Sequence, residues 1–274
     1  MTNSSIAAVF RSPAYSPNHI ANDAAILNAV CTYLRRRGRT VKVYTENELQ
    51  QGLVKEPVVI SMCRGRTSIA LLQEMEDAGR LVVNSAYGIE NCKRELLGRR
   101  LAAAGIGYPE NIVTRTDRNI VPELTAMGIE RCWVKRADSH SQHKEDITFA
   151  SSATEAQEIV HEYFMRGIMT AVIERHIEGI PVKFYGVAGT GFFYCYHRDD
   201  RESAKGIDSE ALSSLCLRAA EVLNLKIYGG DAIIDAESGE TVIININDWP
   251  SFAPCRQEAV KPIAGLILSL IKKK

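Results

Sequence analysis

Oxygen-bearing side chains are concentrated near the C-terminal end of the sequence, on two segments with the residue types of β-strands. Segments 229–235 and 242–248 are separated by a short polar stretch, so we predict a β-hairpin. Alternation places Asn245 and Asn247 on one face of the second strand, and Asp231 on the first strand can lie beside them. Magnesium takes oxygen ligands, usually together with substrate phosphates. The pattern predicts a magnesium site, with a solvated polar strand end as the alternative.

The composition is typical of a globular protein. The 274 residues are 46% hydrophobic and 24% charged, and the formal net charge is zero. We therefore do not expect binding to nucleic acid through bulk charge, and no apolar run reaches the roughly 18 residues of a membrane span. The seven cysteines lack zinc-type spacing, which indicates reduced thiols in a cytoplasmic protein.

The first part of the chain alternates strand and helix signals. We predict strands at 6–10, 40–44, 57–62 and 81–83, with helices at 68–78 and from Asn22 or Asp23 to Arg36. This order implies a small parallel sheet, whose ligands bind beyond the carboxyl ends of the strands. Three arginines follow the first and third strands, and arginine there suits a carboxylate or a phosphate. They are Arg11, Arg64 and Arg66, for which an ordinary surface role is the alternative.

The middle of the chain predicts a second sheet that carries a lysine. We expect one helix at 88–104, a helix at 154–166, and strands at 111–115, 132–136, 147–150 and 170–174. Lys135 lies late in its strand, directly before a polar loop, where it can meet a phosphate; a solvated edge lysine is the alternative. His140 in that loop lacks cysteine or carboxylate partners at fitting spacing, so we favour a hydrogen bond to substrate over zinc ligation.

Two further segments have residues suited to nucleotide binding. Residues 172–179 form a strand that ends in a glycine-containing linker, which can bind a purine edge through its backbone while an acid binds the ribose. A hairpin predicted at 181–187 and 191–196 carries Lys183, and Arg198 follows it. We also predict helices at 209–223 and 260–271.

Taken in this order, the segments resemble the ATP-grasp superfamily over essentially the whole chain. Asn245-Ile246-Asn247 is similar to the family's acid-x-Asn magnesium strand, Val134-Lys135 is similar to its phosphate-binding lysine strand, and Arg94 falls where many members carry another phosphate-binding lysine. The resemblance implies an α/β, ATP-grasp fold. The implied fold has three parts. A small preceding domain with a parallel sheet (1–86) lies on the acceptor side. A clamp lobe (87–172) carries the Lys135 strand and the phosphate loop, and a C-terminal lobe (173–274) carries the hinge and the magnesium site.

The resemblance also implies roles for individual residues. The expected ATP-binding residues are Arg94, Lys135, Glu174, Arg175, His176, Ile177 and Glu178. The expected magnesium ligands are Asp231, Asn245 and Asn247. The expected catalytic residues are Lys135, Lys183 and Arg198. The expected acceptor-binding residues are Arg11, Arg64, Arg66 and His140.

Position 245 departs from the family, which has an acid there. A neutral amide removes a negative charge where magnesium and phosphates meet, and Asp248 is a candidate to compensate. This departure leaves open a catalytically weakened, nucleotide-binding variant.

The reaction implied by the resemblance is Mg-ATP-dependent ligation of a carboxylate to an amine through an acyl phosphate. The pair Asn84-Ser85 is similar to the ligase branch, which includes glutathione synthetases and the enzymes that add glutamate to ribosomal protein S6. Ser139-His140 and the closing Asn-Ile-Asn-Asp-Trp-Pro are instead similar to the inositol polyphosphate kinase branch. A kinase acting on an anionic polyol is therefore the alternative. The expected partner is a small anionic acceptor, neither nucleic acid nor membrane, and the sequence leaves open the oligomeric state, a homodimer included.

Overall fold

The computed structural model describes residues 5–17, 20–137, 144–200 and 203–273. The strands in these residues are β1 (Ile6–Val9), β2 (Val41–Tyr44), β3 (Val58–Ser61), β4 (Leu81–Val83), β5 (Asn111–Arg115), β6 (Cys132–Arg136), β7 (Ile147–Ala150), β8 (Thr170–Arg175), β9 (Gly179–Val187), β10 (Phe192–His197), β11 (Ile227–Asp235) and β12 (Thr241–Asp248). The α-helices are α1 (Ile20–Arg36), α2 (Glu46–Gln50), α3 (Arg66–Asp77), α4 (Ala86–Asn91), α5 (Arg94–Ala103), α6 (Val121–Ala126), α7 (Ala153–Met165), α8 (Ser209–Val222) and α9 (Arg256–Lys273).

The chain divides into two compact units. Unit 1 comprises Met1–Cys92, Pro181–Asp231 and Asn245–Lys274, and unit 2 comprises Lys93–Ile180 and Ala232–Ile244. The three-part division at residues 86 and 172 stays a prediction. Among the residues described above, no helix is long and apolar enough to cross a membrane.

Unit 1 contains the predicted parallel sheet, with strand order β2-β1-β3-β4 and parallel pairing throughout. Side chains alternate along β1, so Ile6 enters a core cluster that includes residues of α1 and α9. Ala7 enters a second cluster with Leu49 of α2 and Leu72 of α3. Both faces of the sheet are therefore covered, which explains why β3 is buried along its length.

Unit 2 contains an antiparallel sheet of order β5-β8-β6-β7. One face packs on α6 and α7 through a cluster that includes Leu124, Val134, Val160 and Ile173. Because side chains alternate, Lys135 lies on the opposite face of β6 from Val134. β6 pairs antiparallel with β7 and with β8.

A third sheet has the order β10-β9-β11-β12. The predicted hairpin of β9 and β10 is confirmed, with antiparallel pairing from Val182 to Val187. The turn between β11 and β12 is held by Asp235, whose carboxylate accepts hydrogen bonds from the backbone N–H groups of Glu237 and Ser238 at 2.9 and 2.7 Å. Local side-chain bonding of this kind is what makes aspartate a frequent turn residue.

Two sequence-based predictions about helices were wrong. The helix predicted at 88–104 is two helices, α4 and α5, and the break falls at the boundary between the units. The helix predicted to begin at Asn22 or Asp23 begins at Ile20, and Asp23 is buried within it, paired with Arg11. Helices α2 and α6 were not predicted, since five or six residues are too few to show a helical period.

Candidate active site

Lys135 of β6 forms an ion pair with Glu174 of β8, and both side chains are buried. The Tyr108 hydroxyl donates to the other carboxylate oxygen of Glu174 at 2.6 Å. Burial, together with the neighbouring Glu174 carboxylate, holds the pKa of Tyr108 well above its ordinary value, so the phenol remains a donor. A phosphate that reaches Lys135 therefore competes with Glu174 for the ammonium group.

Arg94, the first residue of α5, belongs to the same polar cluster in unit 2. Its Nη1 donates to the carbonyl oxygen of Arg136 at 2.9 Å. Burial lowers the pKa of Arg94, and the charge of Glu174 acts in the opposite direction. The structure thus brings Arg94, Lys135 and Glu174, all predicted to contact the nucleotide, into one neighbourhood.

A second buried acid, Asp146, was not singled out from the sequence. Its carboxylate lies 2.5 Å from Nη2 of Arg166 and 4.0 Å from Nη1 of Arg136. Asp146 is fully buried directly before β7. The ion pairs fix the end of β6 directly after Lys135.

Arg175, predicted to bind the nucleotide, makes contacts that hold unit 2 together. Its guanidinium donates to the Glu110 carboxylate at 2.6 and 3.0 Å. It also donates to the carbonyl oxygens of Met127 at 2.7 Å and Gly128 at 2.9 Å. These contacts use the planar donor set of an arginine within the protein, and a nucleotide contact by Arg175 stays a prediction.

His176 and Glu178 form a hydrogen-bonded group with two neighbours. The Trp133 indole donates to His176 Nδ1 at 3.1 Å, which assigns the ring proton of a neutral imidazole to Nε2. That nitrogen lies 3.3 Å from Glu178, whose carboxylate also accepts from Arg131 at 3.0 Å. Hydrogen bonds from Arg131 and then His176 lower the pKa of Glu178, so this acid is ionised at neutral pH.

The backbone on either side of Ile177 is fixed. The N–H of His176 donates to the carbonyl of Arg131 at 2.8 Å, and the N–H of Ala236 donates to the carbonyl of Glu178 at 2.9 Å. Ile177 lies between these tethers in a segment without regular secondary structure. The linker is therefore held by backbone hydrogen bonds on both sides of Ile177, and purine binding by it stays a prediction.

The predicted magnesium ligands lie on adjacent strands of unit 1. A Cβ atom at Gly230 would be 2.1 Å from the carbonyl oxygen of Asn245, so β11 and β12 are in backbone contact at that point. Asp231 follows Gly230, and its Oδ1 lies 2.9 Å from Nζ of Lys183 on β9. Asn245 and Asn247 are half-buried on β12.

Asp248 does not replace the missing acid at position 245. Strand alternation places it on the face of β12 opposite Asn245, where it is 1% exposed and lies 3.3 Å from Nη2 of Arg64. Neither of its carboxylate oxygens accepts a hydrogen bond from the described residues. Burial, with the neighbouring charge of Arg11, lowers the pKa of Arg64 to about 10. The expectation that Asp248 compensates for Asn245 is therefore wrong.

The remaining donor set fits one magnesium ion bound together with nucleotide phosphates. Asp231 supplies a carboxylate, and Asn245 and Asn247 supply amide oxygens. Protein sites for magnesium usually contain one or two carboxylates, with substrate phosphates as further ligands. Over the part of the chain that the structure describes, no group of three or more His, Cys, Asp or Glu side chains is placed to hold a metal ion without such help.

The predicted acceptor residues have different environments. Arg11 donates to Asp23 at 2.8 Å, to the Met62 carbonyl at 3.0 Å and to the Trp249 carbonyl at 3.2 Å. Arg66 begins α3 and is exposed.

Arg198 is exposed, and its backbone N–H donates to the carbonyl of Pro181 at 2.9 Å. His140 lies outside the described residues. The catalytic role of Arg198 and acceptor binding by His140 stay predictions. Acceptor binding by Arg64, whose guanidinium is paired with Asp248, stays a prediction as well.

A cavity of about 520 Å³ lies at the carboxyl ends of β1 and β2 in unit 1. Its lining includes Arg11, Ser12, Tyr15, Asp23, Glu46 and Gln50. Glu46 is buried and accepts hydrogen bonds from the N–H groups of Ser12 at 3.0 Å and Gly65 at 2.9 Å. The rule that ligands bind beyond strand ends predicts this location, but the second strand and Glu46 were not singled out.

No family model matches the sequence, and no curated protein matches it. Solved structures match over almost the whole chain. D-alanine–D-alanine ligase from Bacillus anthracis is 13% identical, with 98% of this chain and 96% of that chain covered and a TM-score of 0.72. A RimK domain ATP-grasp protein from Sphaerobacter thermophilus is 18% identical over 96% of this chain and 100% of that chain, with a TM-score of 0.71. The ATP-grasp ligase PsnB, complexed with a minimal precursor, is 16% identical over 97% and 99%, with a TM-score of 0.66. The chain has the ATP-grasp fold.

Proposed function

We propose that the chain is an ATP-dependent ligase that joins a carboxylate to an amine, with magnesium as the metal. The observation that carries this proposal is the ATP-grasp fold combined with a buried lysine, Lys135, at the predicted phosphate position. Two of the three similar proteins described above are ligases by name. The D-alanine–D-alanine ligase was also determined with ATP, and PsnB with magnesium and ADP. Unit 2 carries Arg94, Lys135 and the linker around Ile177, and unit 1 carries Asp231, Asn245 and Asn247.

The proposed reaction has two steps. An acceptor carboxylate oxygen attacks the γ-phosphorus of ATP, and the bond from that phosphorus to the β–γ bridging oxygen breaks. ADP is the leaving group, and the acceptor becomes an acyl phosphate. An amine nitrogen then attacks the acyl carbon, loses a proton and displaces phosphate. Phosphoryl transfer of this kind depends on positioning and on charge stabilisation. Magnesium, when bound, reduces the negative charge of the phosphates.

Lys135 and Arg94 supply the positive charge in unit 2. Lys135 is already desolvated and held by Glu174, so its ammonium is fixed before the nucleotide arrives. An ordered group of this type loses little rotamer freedom on binding. For the acceptor, we propose the region beyond β1 to β3, where the cavity next to Glu46 lies and Arg66 is exposed.

The test is an ADP-release screen with three acceptor pools: amino acids, short peptides and inositol phosphates. A ligase releases ADP and phosphate in equal amounts, depends on an amine, and gives a hydroxamate when hydroxylamine replaces that amine. Lys135→Met should abolish release, whereas Lys261→Met, which removes an exposed lysine of α9, should not. ADP release without free phosphate, with a phosphorylated polyol as product, would identify a kinase instead.

A further inference from the structure

The site around Asp231 has an unusual charge balance. Lys183, Asp231 and Asn245 lie on the adjacent strands β9, β11 and β12. The contact of β9 with β11 is close, because a Cβ atom at Gly229 would be 2.8 Å from the carbonyl oxygen of Phe184. The strand positions of these side chains are thus fixed by backbone contact on both sides of β11.

The only acid in this group is neutralised within the protein. Nζ of Lys183 lies 2.9 Å from Oδ1 of Asp231, and the Lys183 and Asp231 side chains are 30% and 14% exposed. Asn245 and Asn247 are neutral. Asp248, which directly follows Asn247, is buried on the other face of β12 beside Arg64. The formal charge of Lys183, Asp231, Asn245 and Asn247 together is therefore zero.

A neutral set of this kind is poorly suited to two divalent ions. Ions that lie about 4 Å apart repel each other strongly, and anionic ligands that contact both ions offset that repulsion. An amide has a single neutral oxygen, and one carboxylate oxygen of Asp231 is already bound to Lys183. One carboxylate oxygen and the amide oxygens remain, which suits a single magnesium ion that keeps water and phosphate as its other ligands.

We infer that this site holds one divalent ion with the nucleotide, and that the Lys183 ammonium takes the place of a second ion. The inference rests on the proposed nucleotide binding. Lys183 is then a fixed monovalent cation beside the phosphates, and Asn245 determines the metal count. An acid at position 245 would restore a charged oxygen ligand on β12 and admit the second ion.

The test counts manganese ions bound in the presence of saturating AMPPNP, by equilibrium dialysis and by electron paramagnetic resonance. The wild-type chain should bind one Mn²⁺ per bound nucleotide, with the spectrum of an isolated ion. Asn245→Asp should bind two and show the broadened spectrum of a coupled pair. Asn119→Asp adds the same charge at an exposed position before α6 and should still bind one.

Lys183→Met gives an independent check. Removing the ammonium frees both oxygens of Asp231, so the single ion should bind several-fold more tightly while nucleotide affinity without metal falls. Two tightly bound ions in the wild-type chain would overturn the inference and leave the proposed function intact. Failure to bind AMPPNP with or without Mn²⁺ would overturn both. A count of one ion in Asn245→Asp would show that position 245 does not set the metal number.

Discussion

Replacing Lys135 by methionine should destabilise the protein even when no nucleotide is present. The side chains of Lys135 and Glu174 are 11% and 2% exposed, so the substitution leaves Glu174 as an uncompensated buried charge. Breaking a buried ion pair from one side costs about 3–5 kcal/mol. Tyr108 still donates to Glu174 at 2.6 Å, so we expect the lower end, about 3 kcal/mol. With about 2–4 °C per kcal/mol for a chain of this size, the melting temperature should fall by roughly 6–12 °C.

The assay is thermal unfolding followed by circular dichroism, without nucleotide, on four proteins. The double variant Lys135→Met/Glu174→Gln removes both charges and should recover at least half of the loss. Lys261→Met, the exposed-lysine control, should change stability by less than about 0.5 kcal/mol. The reasoning is refuted if Lys135→Met melts within 2 °C of the wild type, a margin of about 1 kcal/mol, or if the double variant is no more stable than the single one.

Further predictions concern buried groups of unit 1 and the thiols. The Asn84 side chain makes three hydrogen bonds of 2.7–2.9 Å to the backbone at the start of β11; Asn84→Ala should cost about 2–4 kcal/mol in urea unfolding, and an unchanged midpoint would contradict this. Arg11→Ala should lower stability by about 3–5 kcal/mol because it leaves a buried acid unpaired, whereas Arg66→Ala should not. If Arg11→Ala left the melting temperature unchanged and raised the acceptor KM, Arg11 would bind the substrate rather than stabilise the fold. All seven cysteines are buried, and burial raises the pKa of Cys31 and Cys132 to about 11. Because burial keeps the reagent away from the thiols, Ellman's reagent at pH 8 should label fewer than one cysteine per native chain and seven after unfolding.

The order and type of most elements could be predicted from the sequence because their signals are local. Alternation and apolar runs identify β6, β9 and β12 within two residues of their observed bounds. On β12, Ile246 is buried and Asn245 is half-buried. These signals depend only on neighbouring residues, and the fold follows from their order.

The partners of the charged side chains could not be predicted in the same way. Lys135 pairs with a residue 39 positions away, and Lys183 pairs with one 48 positions away. Alternation shows which face a side chain occupies, but the register between distant strands decides which side chains meet. The same limit explains why the partners of Arg11, which are Asp23 and two carbonyl groups, were not predicted.

Calorimetric titration with AMPPNP, with and without magnesium, tests the central proposal most directly. We predict one nucleotide per chain, tighter binding with magnesium, and loss of most of the affinity in both Lys135→Met and Lys135→Met/Glu174→Gln but not in Lys261→Met. At 100 times Kd, the nucleotide should stabilise the wild-type chain by about 2.7 kcal/mol. The absence of both heat and stabilisation at millimolar AMPPNP with magnesium would contradict nucleotide binding by this chain.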